Sequence, residues 1–177
     1  MNSFFLLILA HLLADFPFQP GILARHKLNH FSGVVLHGVI HFATSALLLF
    51  PFWNNSKIWI GIGIIFAWHV LVDQSKIMLN RKSSTNRALI FLLDQLLHLG
   101  MIALVSFYWI GPLQGSYPID QEILWYVLIL TLCTYTYDIV RWTLSRNTQP
   151  YARDYKMMFR NFVIVTIAFG IYFFTSR

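Results

Sequence analysis

Residues 58–79 read IWIGIGIIFAWHVLVDQSKIML, an apolar run long enough to cross a bilayer as one helix. Three ionisable residues interrupt its second half, His69, Asp73 and Lys76, and the first two are four positions apart. An ionisable side chain inside such a run is costly in lipid, so it normally faces the protein interior and finds partners there. The stretch therefore predicts a transmembrane helix that contributes polar groups to a buried site.

The composition of the whole chain agrees with this stretch. Of its 177 residues, 57% are apolar and 11% are charged, against roughly 45–50% and roughly 25% in soluble domains. These values exclude a disordered or collagen-like chain. The single cysteine, Cys133, has no partner, which excludes a disulfide framework and a thiolate metal site.

Six apolar segments follow one another along the chain. We place them at about 2-16, 31-52, 58-79, 88-111, 121-143 and 158-175. The first is short, because Pro17 and Pro20 end its helix. The sequence therefore predicts an all-α, polytopic transmembrane bundle of about six helices, in which the first segment is a short span or a half-inserted helix.

Basic residues predict the orientation, because cytoplasmic loops carry an excess of Lys and Arg. With the N-terminus outside, 11 of the 13 basic residues fall on the cytoplasmic side. They are Arg25, Lys27, Lys76, Arg81, Lys82, Arg87, Arg141, Arg146, Arg153, Lys156 and Arg160. The net charge of +6 is then a topology signal that also attracts anionic headgroups, and it calls for no nucleic-acid partner.

We expect a single integral membrane domain over residues 1-177. Within it, residues 1-111 would form a four-helix core that carries the polar residues. Residues 112-177 would add two helices joined by a basic cytoplasmic loop at 144-157.

Pairs of ionisable residues four positions apart occur on each of the first four segments. They are His11 and Asp15, His37 and His41, His69 and Asp73, and Asp94 and His98. Residues at this spacing lie on one helix face, so both side chains can reach one point beside the helix. Random placement of the 13 His and Asp residues would give about one such pair. All four pairs fall in the predicted cytoplasmic half, so we expect them to converge.

Five imidazoles and three carboxylates without a thiolate suit Zn, Mn or Fe. The sequence therefore predicts a site for one or two divalent ions, with zinc preferred and all eight residues as candidate ligands. Three alternatives stay open. The eight residues could form a metal-free proton pathway or a purely structural network of His and Asp hydrogen bonds, or some of them could bind no metal and instead orient a histidine that does.

Four residues are candidate catalytic groups. Asp15, Asp73 and Asp94 would bind or bridge metal, and whichever stays unligated would act as general base. Lys76, three positions after Asp73, would neutralise a substrate anion, or it is a lysine that only sets topology.

A basic stretch, Arg25-His26-Lys27 with His30, precedes the second segment. If that helix extends back this far, His26 and His30 share a face with His37 and His41 and form an entry for an acidic headgroup. We favour a plain interfacial anchor for this stretch.

The segment His11-Leu12-Leu13-Ala14-Asp15-Phe16-Pro17-Phe18-Gln19 resembles the opening of a family of bacterial inner-membrane proteins catalogued as a domain of unknown function. The resemblance continues through His37-Gly38-Val39-Ile40-His41, His69-Val70-Leu71-Val72-Asp73-Gln74-Ser75-Lys76 and Asp94-Gln95-Leu96-Leu97-His98. It implies a multi-pass protein of the bacterial inner membrane. A looser likeness is to membrane-bound metal-dependent hydrolases, although their Arg after a first His is absent here.

The favoured function is a metal-dependent hydrolase that acts on an amphiphilic anionic substrate, a phospholipid or polyprenyl phosphate, at the cytoplasmic interface. A metal-ion or proton transporter and a noncatalytic membrane accessory subunit are the alternatives. The predicted partners are the lipid bilayer and this substrate, with no nucleic acid, and the sequence does not fix the oligomeric state.

Overall fold

The computed structural model describes residues 2–82, 87–145 and 151–175, apart from the side chains of residues 80–82 and 87. Every regular element in these ranges is helical, so the all-α prediction is confirmed. Part of the predicted basic loop at 144-157, including Arg146, lies outside the described residues, as does Arg177.

Eight α-helices lie within the described ranges. They are α1 Ser3–Asp15, α2 Gly21–Asn29, α3 Phe31–Leu48, α4 Ser56–Lys82, α5 Arg87–Leu104, α6 Gln121–Thr131, α7 Tyr137–Leu144 and α8 Tyr155–Thr175. The π-helical segment Val105–Ile110 continues α5, and a second one, Leu132–Thr136, joins α6 to α7.

Five helical stretches are long and apolar enough to cross a membrane. They are Phe31–Leu48, Ser56–Leu79, Ala88–Ile110, Gln121–Leu144 and Tyr155–Thr175. A sixth, Ser3–Asp15, is apolar but shorter. The predicted membrane bundle with a short first helix is confirmed, while the external N-terminus stays a prediction.

The chain divides into two compact units. The first, Met1–Pro118, contains α1 to α5, and the second, Ile119–Arg177, contains α6 to α8.

Helix α1 is largely buried within the first unit. Asn2 caps its start by accepting a hydrogen bond from the backbone N–H of Phe4 at 3.0 Å, and the helix ends just before Pro17. Its buried side chains include Leu6 and Leu9, and it packs against α3 and α5. Because α1 is enclosed on several sides, its last turn delivers polar side chains into the unit's interior.

Helix α2 is a separate element that the apolar pattern does not predict. His30 has an extended backbone with φ −136° and ψ 135°, which separates α2 from α3. The second segment therefore does not extend back to His26, so the condition for a shared face of His26, His30, His37 and His41 is not met. Instead, the His26 ring packs against the His30 ring at 4.9 Å, and its Nε2 lies 3.1 Å from Ser32 Oγ.

The chain folds α2 back onto the start of α3 at Gly33. A Cβ at this position would lie 2.5 Å from the backbone nitrogen of Lys27 and 2.6 Å from the carbonyl carbon of His26. Only a glycine allows two backbones to approach this closely. The close packing at Gly33 thus places Lys27 beside the interior of the unit.

Candidate metal centre

The first part of the site lies where the last turn of α1 meets α3. Asp15 Oδ1 is 3.1 Å from His37 Nε2 and 2.8 Å from His41 Nε2, so one carboxylate oxygen pairs with both histidines of α3. Its other oxygen, Oδ2, lies 3.5 Å from Nε2 of His11, one turn earlier on α1. Asp15 therefore ties the two helices together.

Helix α4 contributes the second part through His69 and Asp73, which are both buried. Asp73 Oδ2 lies 3.3 Å from His69 Nε2 and 3.8 Å from His37 Nε2. The same oxygen accepts a hydrogen bond from Lys27 Nζ at 2.8 Å. Lys27 is a site residue that the sequence interpretation placed only in a basic stretch.

Helix α5 contributes the third part. His98 Nε2 lies 3.6 Å from Asp94 Oδ1 and 4.0 Å from Asp73 Oδ1. Asp94 Oδ2 accepts hydrogen bonds from Lys76 Nζ at 2.6 Å and from Gln95 Nε2 at 3.2 Å. Gln95 also donates to Asp15 Oδ2 at 3.3 Å, which links α5 to α1.

The imidazole rings form a packed group at the centre of these contacts. His69 lies 3.7 Å from His41 and 4.2 Å from His98, measured between ring centroids. His11 lies 5.2 Å from both His41 and His98. All of these rings are buried, so the site is a compact polar interior surrounded by apolar helices.

The structure brings all eight predicted ligand residues together in three groups that could hold a metal ion. The groups are His11, Asp15, His41 and His69; His37, His69 and Asp73; and Asp73, Asp94 and His98. Within each group the ligand atoms lie within 4.8 Å of one another. His69 and Asp73 belong to two groups each, and a carboxylate with two oxygens is suited to bridge neighbouring ions.

Several ligand atoms in these groups are left unsatisfied by hydrogen bonding. Nε2 of His11, His69 and His98 and Oδ1 of Asp94 are buried and have no hydrogen-bond partner among the described residues. A buried polar atom without a partner costs roughly 1–3 kcal/mol. A bound cation would satisfy these lone pairs, so the residues present fit a divalent metal.

Two further groups lie around the site. Lys76, whose side chain is 27% exposed, reaches the site through its bond to Asp94. In the orientation that satisfies its amide, Gln19 donates to the Asp15 carbonyl oxygen at 2.9 Å and accepts from Lys27 Nζ at 3.3 Å. The catalytic roles given to Asp15, Asp73, Asp94 and Lys76, and the ligand roles of the eight residues, stay predictions.

The second unit has a polar cluster of its own around the buried Asp138. Tyr151 donates its hydroxyl to Asp138 Oδ2 at 2.7 Å, and Arg141 lies 3.9 Å from Asp138 but 2.9 Å from Asp154. Burial and the bond to the Asp138 carboxylate raise the pKa of Tyr151 above its ordinary value. Within the described ranges, no metal-capable group includes a residue of this unit.

The comparisons with known proteins concern mainly the first unit. A family model with the description "Protein of unknown function (DUF3307)" matches residues 3–117, the part of the chain that holds all eight residues. No curated protein and no solved structure matches the chain. The resemblance to a family of unknown function is thereby confirmed, and the likeness to metal-dependent hydrolases stays a prediction.

Proposed function

The chain belongs to the family described as Protein of unknown function (DUF3307), and we propose that it is a membrane-embedded, metal-dependent hydrolase. Its substrate is amphiphilic and anionic, of the phospholipid or polyprenyl-phosphate kind. It acts at the cytoplasmic face of the bacterial inner membrane. The observation that carries the proposal is the buried set of three metal-capable groups with unsatisfied ligand atoms.

The chemistry follows from the donor set. Zinc is the preferred cation because five imidazoles and three carboxylates supply nitrogen and oxygen ligands only, with manganese or iron as alternatives. A divalent cation held there supplies Lewis acidity and lowers the pKa of bound water towards about 7.

The three carboxylates have different surroundings, so we assign them different chemical roles. Asp73 lies in two of the groups, which suits it to hold two cations at once. Asp15 is the most exposed of the three, with 11% of its side chain accessible, against 3% for Asp73 and 4% for Asp94. Asp15 is therefore best placed to take a proton from an attacking water, as a general base must.

The position of the site suits an amphiphile. Its residues come from the last turn of α1 and from the middle turns of α3, α4 and α5, at the end of the first unit where α1 ends. A substrate whose tail stays in the bilayer can present its polar group at this end. The positive-inside pattern assigns that end to the cytoplasm.

Elemental analysis by mass spectrometry of detergent-purified protein tests the proposal. We expect about one or two equivalents of zinc in the wild type, lost in His41→Ala and Asp73→Asn. His26→Ala is the matched control, because His26 is outside all three groups. Trace metal that is the same in every variant would contradict the metal centre.

Turnover is tested next on the protein that has retained its metal. We expect release of a hydrolysis product from a short-chain phospholipid or polyprenyl phosphate, and none from Asp73→Asn. Stoichiometric metal without hydrolysis of either substrate class would contradict the enzymatic part of the proposal alone.

A transporter is the second candidate, because the imidazole rings form a continuous series with neighbouring centroids 3.7 to 5.2 Å apart. Such a series can relay protons between carboxylates. Uptake of a divalent ion or protons into proteoliposomes, abolished by His41→Ala, would favour this candidate over the hydrolase.

A further inference from the structure

Two lysines from different helices border the metal-capable groups on their more exposed side. Lys27 of α2 binds Asp73 Oδ2 at 2.8 Å, and Lys76 of α4 binds Asp94 Oδ2 at 2.6 Å. The lysine side chains are 13% and 27% exposed, whereas those of Asp73 and Asp94 are 3% and 4% exposed. A molecule that approaches the carboxylates from outside therefore meets the two ammonium groups first.

The lysines leave the inner ligand atoms open. Both bind an Oδ2 atom, while Asp94 Oδ1 and His98 Nε2 lie 3.6 Å apart and have no hydrogen-bond partner among the described residues. Asp73 Oδ1 lies 4.0 Å from the same His98 nitrogen. A cation between these three residues is therefore compatible with both lysine contacts.

The charges of this cluster call for an anion once a cation is bound. Three carboxylates and two ammonium groups leave one net negative charge when the imidazoles are neutral. One divalent cation turns this into one net positive charge, and a second cation adds two more. Uncompensated charge is costly among buried side chains in a membrane bundle, so the loaded centre favours an anionic ligand.

We propose that Lys27 and Lys76 form a phosphate-binding clamp beside the group of Asp73, Asp94 and His98. A lysine ammonium has three N–H donors, of which Lys76 uses one on Asp94 and Lys27 uses one on Asp73 and one on Gln19, so each lysine keeps at least one donor for a ligand. A phosphate group has several charged oxygens, so it can accept from both lysines and contact the cation at the same time, which a neutral ester cannot. The clamp rests on the proposed function for its cation and narrows the substrate to a molecule with a free phosphate group.

Equilibrium binding of radiolabelled inorganic phosphate to the full chain, purified in detergent and loaded with zinc, tests the clamp. We expect saturable binding that weakens about tenfold or more in K27Q and in K76Q, because each loses one charge-assisted hydrogen bond. K27R and K76R keep the charge and should retain most of the affinity. Lys57→Gln is the matched control, because Lys57 is an exposed lysine at the other end of α4.

A competition arm distinguishes the source of the phosphate. Displacement of bound phosphate by dioctanoyl phosphatidic acid at lower concentration than by inorganic phosphate assigns the clamp to a lipid headgroup. The reverse order assigns it to free phosphate.

Two results would overturn the clamp: wild-type protein without saturable phosphate binding, or glutamine variants that melt earlier but bind phosphate as tightly as the wild type. The second result would show that the lysines only neutralise the carboxylates and do not bind phosphate. If a glutamine variant does not fold, the clamp is judged from the wild type and the arginine variants: it requires saturable phosphate binding in the wild type and most of that affinity in K27R and K76R. Metal content is measured on the same samples, which separates loss of the lysine contacts from loss of zinc. Phosphate binding that depends on the lysines, in a protein that hydrolyses neither substrate class, would support the clamp and contradict the hydrolase.

Discussion

His41 of α3 and Asp15 of α1 are joined across two helices, with Nε2 of the histidine 2.8 Å from Oδ1 of the carboxylate. This contact is shorter than those within the pairs on single helices, which are 3.5 Å for His11 and Asp15 and 3.3 Å for His69 and Asp73. The geometry of the centre therefore depends on how closely neighbouring helices approach, so the first prediction alters that approach without changing a ligand.

Gly38 lies on α3 next to His37, in close contact with α4. A Cβ there would lie 2.7 Å from Val70 Cγ2 and 3.0 Å from Phe66 Cε2. We expect Gly38→Ala to push α3 away from α4 and weaken zinc binding about tenfold, because overpacking costs about 1–3 kcal/mol. Competition with a chromogenic chelator measures the affinity.

Gly63→Ala on α4 is the matched control, because a Cβ at that position meets no atom within 4 Å. A zinc affinity in Gly38→Ala equal to that of the control would show that helix spacing does not govern the centre.

Gly33 allows a different prediction, because its neighbours are backbone atoms of α2 that cannot rotate away. In Gly33→Ala the helix α2 must shift, and Lys27 would leave Asp73 Oδ2. We expect phosphate binding to weaken about tenfold, as in K27Q, while zinc stays bound. Zinc content and phosphate affinity measured on one preparation check this separation. Loss of zinc together with phosphate would show instead that α2 supports the ligand residues themselves.

Metal removal should lower thermal stability, since a cation that binds only the folded state stabilises it. At a free zinc concentration of about 100 times Kd, the gain is about 2.7 kcal/mol. We therefore expect chelation to lower the melting temperature of the wild type by several degrees, and to change that of Asp73→Asn far less. Equal shifts in both proteins would place the stabilising metal elsewhere.

The convergence of the eight residues is predictable from the sequence because one physical rule, the four-residue spacing on a helix, marks both members of each pair. The packing of α1, α3, α4 and α5 against one another then brings the pairs together. Which residues of different helices bond most closely is not encoded by spacing, so the contact between His41 and Asp15 could not be predicted.

The contacts of Lys27 and Gln95 could not be predicted for a related reason. Lys27 reaches Asp73 only because α2 begins after Pro20, ends before His30 and folds back on Gly33, and a nine-residue helix has little periodicity to reveal this. Gln95 follows Asp94 directly, and neighbouring residues point to different sides of a helix. Its link to Asp15 depends on packing between helices.

In the second unit, Tyr151 satisfies the buried carboxylate of Asp138. We expect Tyr151→Phe to destabilise the protein by about 1.5 kcal/mol, the value of a hydrogen bond to a charged group. Because the pKa of Tyr151 is raised in the folded state, its contribution is fully present below the ordinary tyrosine pKa of about 10 and is lost as the pH rises beyond it. Melting temperatures at pH 8 and pH 11 measure both effects.

The exposed Tyr155 provides the control, and Tyr155→Phe should melt like the wild type. Zinc content should stay unchanged in Tyr151→Phe, because Tyr151 belongs to none of the metal-capable groups. A Tyr151→Phe protein that melts like the wild type at pH 8 would show that the hydroxyl does not stabilise the unit.

Labelling of single cysteines with a membrane-impermeant maleimide tests the predicted orientation. In a Cys133→Ser background we expect N54C and S116C to react in intact spheroplasts and N29C to react only after the membrane is opened, because all three positions are exposed ends or loops. N2C should react from outside if α1 crosses the bilayer, and from inside if it is half-inserted.

The contradicting outcome concerns N29C. A short turn and helix α2 connect Asp15 to Asn29, so labelling of N29C in intact spheroplasts would place the His and Asp groups at the external face. Such a result would contradict hydrolysis at the cytoplasmic interface while leaving the metal centre itself intact.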